Sequence, residues 1–145
     1  MSGILLMNEN DYLFELEFAV RDYECDLQGI VNNAVYQNYL EHTRHEFIRS
    51  LGISFVELHK QGKDAVAVRI ELDYLSSLKS GDKFVIKLNA YPKGKLRIVF
   101  EQDIFRIPDG QHILRAKVIA TCLQNGKPVM PEEIIKAIEE RRNNF

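Results

Sequence analysis

An α+β fold, in which a curved antiparallel sheet of five long strands wraps around one long central helix, is what the 145-residue sequence predicts. Three observations carry this. Five segments alternate apolar and polar residues at the strand period; one stretch between the first two of them has the helical period; and the later segments are joined by short, turn-rich connections.

Taken in order, residues 14 to 21, "FELEFAVR", set Phe14, Leu16, Phe18 and Val20 on one face and Glu15, Glu17 and Arg21 on the other, the pattern of a half-buried strand. The helix follows over about residues 34 to 50, with Gly52 placed to end it. At 100° per residue, Tyr36, Leu40, Thr43, Phe47 and Leu51 form an inner arc, whereas Asn38, His42, His45 and Arg49 point the other way. Burying the inner arc makes this helix a main organiser of the core. The second strand, "AVAVRIELDY", opposes Val66, Val68, Ile70, Leu72 and Tyr74 to Arg69, Glu71 and Asp73. Then come "KFVIKLNAY", "KLRIVFEQDIFR" and "ILRAKVIATCL", separated by "PKGK" at 92 to 95 and "PDG" at 108 to 110, which read as antiparallel hairpins. In "MPEEIIKAIEERR", a proline and acids open the segment, arginines close it, and Ile134, Ile135 and Ile138 lie between, so a short closing helix is expected.

Length and the lack of any linker or repeat point to a single domain over residues 1 to 145. A net charge of −2 provides no broad basic field, so nucleic acid is not an expected partner. No run approaches the roughly 18 apolar residues of a membrane span, and "MSGILLMNENDY" lacks the pattern of a leader, so a soluble cytoplasmic protein is expected. Cys25 and Cys122 are too few and too distant for a disulfide framework or a zinc site. His42, His45 and Glu46 have a spacing that can hold a metal, but they share a polar face with Asn38 and Arg49; a solvated face is the reading, with no metal. Cys25 has no histidine within its motif to activate it.

The segment "YECDLQGIVNNAVYQNYLEHTR" resembles the helix-entry motif of hotdog-fold acyl-CoA thioesterases of the 4-hydroxybenzoyl-CoA thioesterase type. Asp26, Gly29, Val31, Asn32, Asn33, Tyr36, Tyr39, Glu41 and Arg44 match it. Downstream, "LDYLSSLKSGDKFVI" is similar to the family's second-strand exit, with Ser77 where a proline is usual. Ile30 and Asn33 stand where various relatives carry histidine. The resemblance implies a hotdog fold and hydrolysis of an acyl-CoA to a carboxylic acid and free coenzyme A, with no cofactor because coenzyme A is part of the substrate. It puts the catalytic aspartate on Asp26 and the oxyanion-binding backbone amide seven positions later, on Asn33. It also implies a dimer joined edge to edge, with the acyl groove between subunits; two such dimers commonly stack into a tetramer.

The chemistry agrees with those positions. Thioester hydrolysis needs a nucleophile or a base that activates water, and donors for the oxyanion that forms at the acyl carbon. Asp26 can supply the first. The free N–H groups at the helix start, near Asn33 and Ala34, can supply the second, aided by the helix dipole. Gly29, Val31, Asn32, Ala34 and Tyr36 are expected to line the substrate, Gly29 by letting backbone approach the thioester closely. Asp26 also reads as a turn-stabilising residue, and Asn32 or Asn33 as a helix cap. Glu41, beside the inner arc, is expected half-buried, bracing Arg44 or the substrate loop; in some hotdog branches a helix glutamate does the chemistry, which makes it the second catalytic candidate. Arg21, Lys93, Lys95, Arg97 and Arg106 are the cations suited to coenzyme A phosphates. Two other functions remain open: hydrolysis of acyl groups on acyl-carrier protein, and binding of an acyl thioester without turnover.

Overall fold

The computed structural model describes residues 11–144. The reading of the first ten residues therefore lies outside the described part. The chain runs β1 (Phe14–Ala19), α1 (Asn33–Ser50), α2 (Phe55–Lys60), β2 (Lys63–Tyr74), β3 (Lys83–Lys93), β4 (Arg97–Ile107), β5 (His112–Gln124), β6 (Lys127–Val129) and α3 (Glu132–Asn143). The long strands lie in the order β1-β3-β4-β5-β2, every neighbouring pair antiparallel, and the short β6 pairs with β5. Helix α1 packs in the concave face. This is the antiparallel sheet around one long helix that the alternation of the strands predicted, and the hotdog arrangement that the resemblance implied.

The inner face of α1 is wider than the five-residue arc: Tyr39 and Ile48 are buried beside Tyr36, Leu40, Thr43 and Phe47, while Leu51 is only half-buried. A wide apolar face is what a sheet curling around a helix demands. Gly52, with φ +83°, closes the helix in the left-handed conformation that glycine adopts without strain. The core has two lobes. One gathers Tyr36, Tyr39 and Leu40 with Phe84, Ile86, Ile104 and Leu114. The other gathers Phe47 and Ile48 with Leu88, Phe100, Val118 and two residues of α3, Ile134 and Ile138. Phe47 is fully enclosed. Phe47→Ala is therefore expected to cost about 3–5 kcal/mol, read as a lowered denaturant midpoint with an unchanged slope.

Strand β2 departs from the simple alternation expected of it. Ala67 opposes Ala120 and Arg69 opposes Ile119, so Val68 is an extra residue bulged out of the ladder. The bulge resets the phase. Ala65 and Ala67 share the inner face with Ile70, Leu72 and Tyr74, whereas Val66, expected on that face, pairs with Thr121 on the outer one. A bulge leaves no mark in a period-two count, because the alternation on either side of it stays regular. Lying at the sheet edge, β2 leaves Val68 (45%), Ile70 (43%) and Tyr74 (46%) open to solvent.

Candidate active site

Between β1 and α1 the chain makes a 3-10 turn at Asp22–Glu24 and then a tight loop at 26–30. The loop is built by its own aspartate. Asp26 Oδ1 accepts from the N–H of Gln28 (2.8 Å) and of Ile30 (3.4 Å), while the Asp26 N–H donates to the Ile30 carbonyl (2.9 Å). An Asx turn of this kind is the bland role that the sequence allowed for Asp26. It engages only one carboxylate oxygen: among the described residues Oδ2 has no hydrogen bond, and the side chain is exposed. Gly29 sits at φ +80°, where a Cβ would meet open space, so the glycine serves the backbone conformation and leaves that side of the loop uncovered.

Isolated bridges tie the two legs of the loop, Cys25 to Val31, and Ile30 to Lys79 of the segment after β2. That segment clamps the helix entry. The Val31 N–H donates to the Leu78 carbonyl (2.9 Å), and the Leu78 N–H donates to the Tyr36 hydroxyl (3.1 Å). Val31 and Tyr36 are each 2% exposed. Their side chains are walls of the core beneath the loop rather than a surface above it. Tyr74, at the end of β2, donates from its hydroxyl to the Asn33 carbonyl (3.3 Å) and joins the strand to the helix start. No feature of the sequence gave Tyr74 or Leu78 this function beyond their places at and after a strand end.

The cap of α1 is Asn32, whose Oδ1 accepts from the Ala34 N–H (2.9 Å). This decides between the two asparagines, and it corrects the pair of oxyanion donors proposed from sequence. The Ala34 amide is taken by the cap. The Asn33 amide, among the described residues, donates to nothing and projects from the positive end of an 18-residue helix. Asn32→Ala is expected to cost about 1 kcal/mol through loss of the cap, which thermal unfolding would show; Asn33→Ala leaves the cap in place and should cost less.

Other candidates separate. Glu41 is exposed and, among the described residues, forms no hydrogen bond or ion pair, so it does not brace Arg44 by contact as expected from its angle. Arg44 instead donates from Nη1 to Gln102 Oε1 (3.1 Å). Glu46 is tied to Arg49, and His42 and His45 lie against the separate rings of Phe18 and Phe55, so these three do not converge. Burial, with Asp22, Asp26 and Glu24 nearby, pushes the Cys25 thiol up, which opposes a thiolate nucleophile. Arg106 is held by Asp109 and Arg21 by Tyr23, whereas Lys93, Lys95 and Arg97 stand at the opposite end of the sheet from Asp26. Glu24 was not anticipated: its Oε1 accepts from both the Arg21 N–H (2.8 Å) and the Tyr39 hydroxyl (2.9 Å), fixing the approach to the loop on the helix.

A cleft of about 260 Å³ lies farther along α1, between Glu41, Arg44, His45 and Ile48 of the helix, Phe55 of α2, Ala65–Ala67 of β2, and Phe100, Val118 and Ala120 of the sheet. No residue of the 26–36 segment lines it. At ~1.5 Å per residue, Arg44 is roughly 16 Å along the helix from Asn33.

Comparison with known proteins adds four findings. A family model described as the Thioesterase superfamily matches residues 28–112. An acyl-acyl carrier protein thioesterase of Arabidopsis thaliana, ATL3, chloroplastic, is 46% identical over 111 residues, which are 77% of this chain and 58% of that protein; the chain thus spans little more than half its length. Acyl-CoA thioesterase YbgC of Haemophilus influenzae is 28% identical over 81% of this chain and 89% of its own. In structure, a 1,4-dihydroxy-2-naphthoyl-CoA thioesterase from Synechocystis superposes with a TM-score of 0.81 at 18% identity, covering 88% of this chain and 96% of that one, a likeness of fold.

Proposed function

Because the chain belongs to the Thioesterase superfamily, we propose that it hydrolyses an acyl thioester, with Asp26 as base or nucleophile and the Asn33 amide as oxyanion donor. The observation that carries this reading is the helix-entry loop. Among the described residues, one oxygen of Asp26 builds the turn and leaves the other free, and the loop ends at a helix start whose first amide has no partner. Water activated by a carboxylate, or direct attack by it, places negative charge on the former carbonyl oxygen, and a donor at a helix N-terminus stabilises that charge before reaction begins.

The proposed substrate is an acyl group on a phosphopantetheine arm, coenzyme A in the first reading. Acyl-carrier protein is the second, favoured by the ATL3 relative at 46% identity. Purified protein supplied with matched coenzyme A and carrier-protein thioesters, with released thiol followed by a chromogenic reagent, tests both. Faster turnover on one carrier identifies it. No thiol release from either leaves the non-catalytic binding module.

The proposed working unit is a dimer in which two β2 edges pair about a two-fold axis, with or without further stacking into a tetramer. A two-fold pairing of identical edges is antiparallel, so Tyr74 of one copy lies opposite the Lys63 end of the other. Tyr74 holds the Asn33 carbonyl, and Ala65–Ala67 line the cleft. The catalytic loop of one chain would then open toward the cleft of its mate, which joins two features that lie apart within a single chain.

A further inference from the structure

Arg44 brings into the cleft a charge that no carboxylate among the described residues pairs with directly. Arg44 is largely withdrawn from water, and its one hydrogen bond among the described residues is to a neutral amide, Gln102 Oε1. Gln102 itself is fully buried at the centre of the sheet's inner face, opposite Leu88 and Ala116, and anchors to the helix through the Leu40 carbonyl (3.0 Å). Arg115 shows the usual arrangement by contrast, set between Asp103 and Glu101. Burying a guanidinium without a carboxylate is costly, and it keeps its charge even so. No buried side-chain nitrogen or oxygen among the described residues lacks a partner, so the remaining donors of Arg44 are those that reach the cleft. Around them the walls are apolar: Ile48, Phe55, Phe100, Val118 and Ile134. Glu41 and His45 are the other polar groups on that wall of α1; both are exposed, and Glu41 favours the charge of Arg44 without forming an ion pair with it.

We propose that Arg44 makes the cleft selective for acyl groups that carry an acceptor oxygen, as an oxo, hydroxy or carboxylate function, over plain hydrocarbon chains of equal length. An apolar body fits the walls, and an oxygen placed at the guanidinium replaces the water that otherwise solvates it. A carboxylate, which can take two parallel N–H bonds, is the strongest of the three. The inference rests on the hydrolase reading for its substrate, but the site is a feature of the chain in either case.

The test compares coenzyme A thioesters of one chain length, plain, hydroxylated, oxo-bearing and ω-carboxylated, with the native protein, Arg44→Met and Arg44→Lys. The native protein is expected to favour at least one oxygenated acyl group over the plain one by about tenfold or more in kcat/KM, as a hydrogen bond to a charged donor allows. Arg44→Met should bring that ratio to within about threefold of unity, whatever its absolute rate, and Arg44→Lys should keep part of it. A native preference for the plain chain, or an equal loss on all substrates in Arg44→Met, would overturn the proposal and leave Arg44 a structural link to Gln102 or to a carboxylate of a second copy. If no thioester is cleaved, the hydrolase reading fails. Calorimetry with the uncleaved hydroxylated and plain thioesters then decides Arg44: tighter binding of the hydroxylated one, lost in Arg44→Met, supports the site, and equal binding refutes it.

Discussion

Asp26→Asn is expected to lower thioester hydrolysis by at least ~100-fold while the protein stays folded. The structure makes this substitution unusually clean. The turn is built through a single oxygen, Oδ1, which accepts from Gln28 and Ile30, and an asparagine carbonyl accepts in the same position. The loop, the Cys25–Val31 bridge and the helix cap behind it should all survive. What disappears is the charge and the basicity of the free oxygen. Circular dichroism and the thermal midpoint should match the native protein within error while thiol release falls. A folded, active Asp26→Asn protein would shift the chemistry to Glu41, whose exposed and unbonded carboxylate at the rim of the cleft is free to serve an adjoining chain. Glu41→Gln is the matching control, with a smaller expected loss.

The second large effect is expected from Val68→Glu. Val68 is the bulged residue near the middle of β2, so across the proposed two-fold axis it would lie close to its own copy, and one substitution would set two like charges against each other. Within one chain it opposes nothing in the ladder and is 45% exposed, so the monomer fold should tolerate the change. Light scattering at micromolar concentration should show the mass falling by half, with hydrolysis falling in step. A native protein that is fully active as a monomer would remove the shared site; full activity in a monomeric Val68→Glu protein would do the same.

Most of the architecture was legible in the sequence because period-two and period-3.6 patterns are local and the elements are long. β1, β3, β4, β5 and α1 each lie within a few residues of their expected bounds. Helix α2 was missed, since six residues offer less than two turns in which a period can show; the signal present was Ser54 with Glu57 three positions later, and the Ser54 hydroxyl does cap the Glu57 N–H. The fully buried Asp103, bound by Tyr12, His112 and Arg115 on the sheet's outer face, reads in sequence as one more polar residue in an alternating strand. At the candidate site, the motif located the loop, but two questions turned on geometry. Asn32 and Asn33 are equally good caps until the backbone shows which one precedes the first helical residue. Glu41, expected half-buried, is exposed, and Arg44 one turn on is the half-buried one, because the sheet closes over one side of α1 and the open edge at β2 leaves the other uncovered.

The two-lobed core has a consequence for how the molecule breathes. Helix α1 runs through both lobes, but α3 contributes to only one, the lobe far from the helix-entry loop. Fraying of α3 would uncover Phe47 and Leu88 without loosening Tyr36 or Leu78, so amide protons in the last turns of α1 should exchange with solvent by a low-energy opening that those at its start do not share. The end that carries the candidate loop would stay rigid on the timescale in which the far end opens, and a deuterium-exchange map should show that gradient along a single helix.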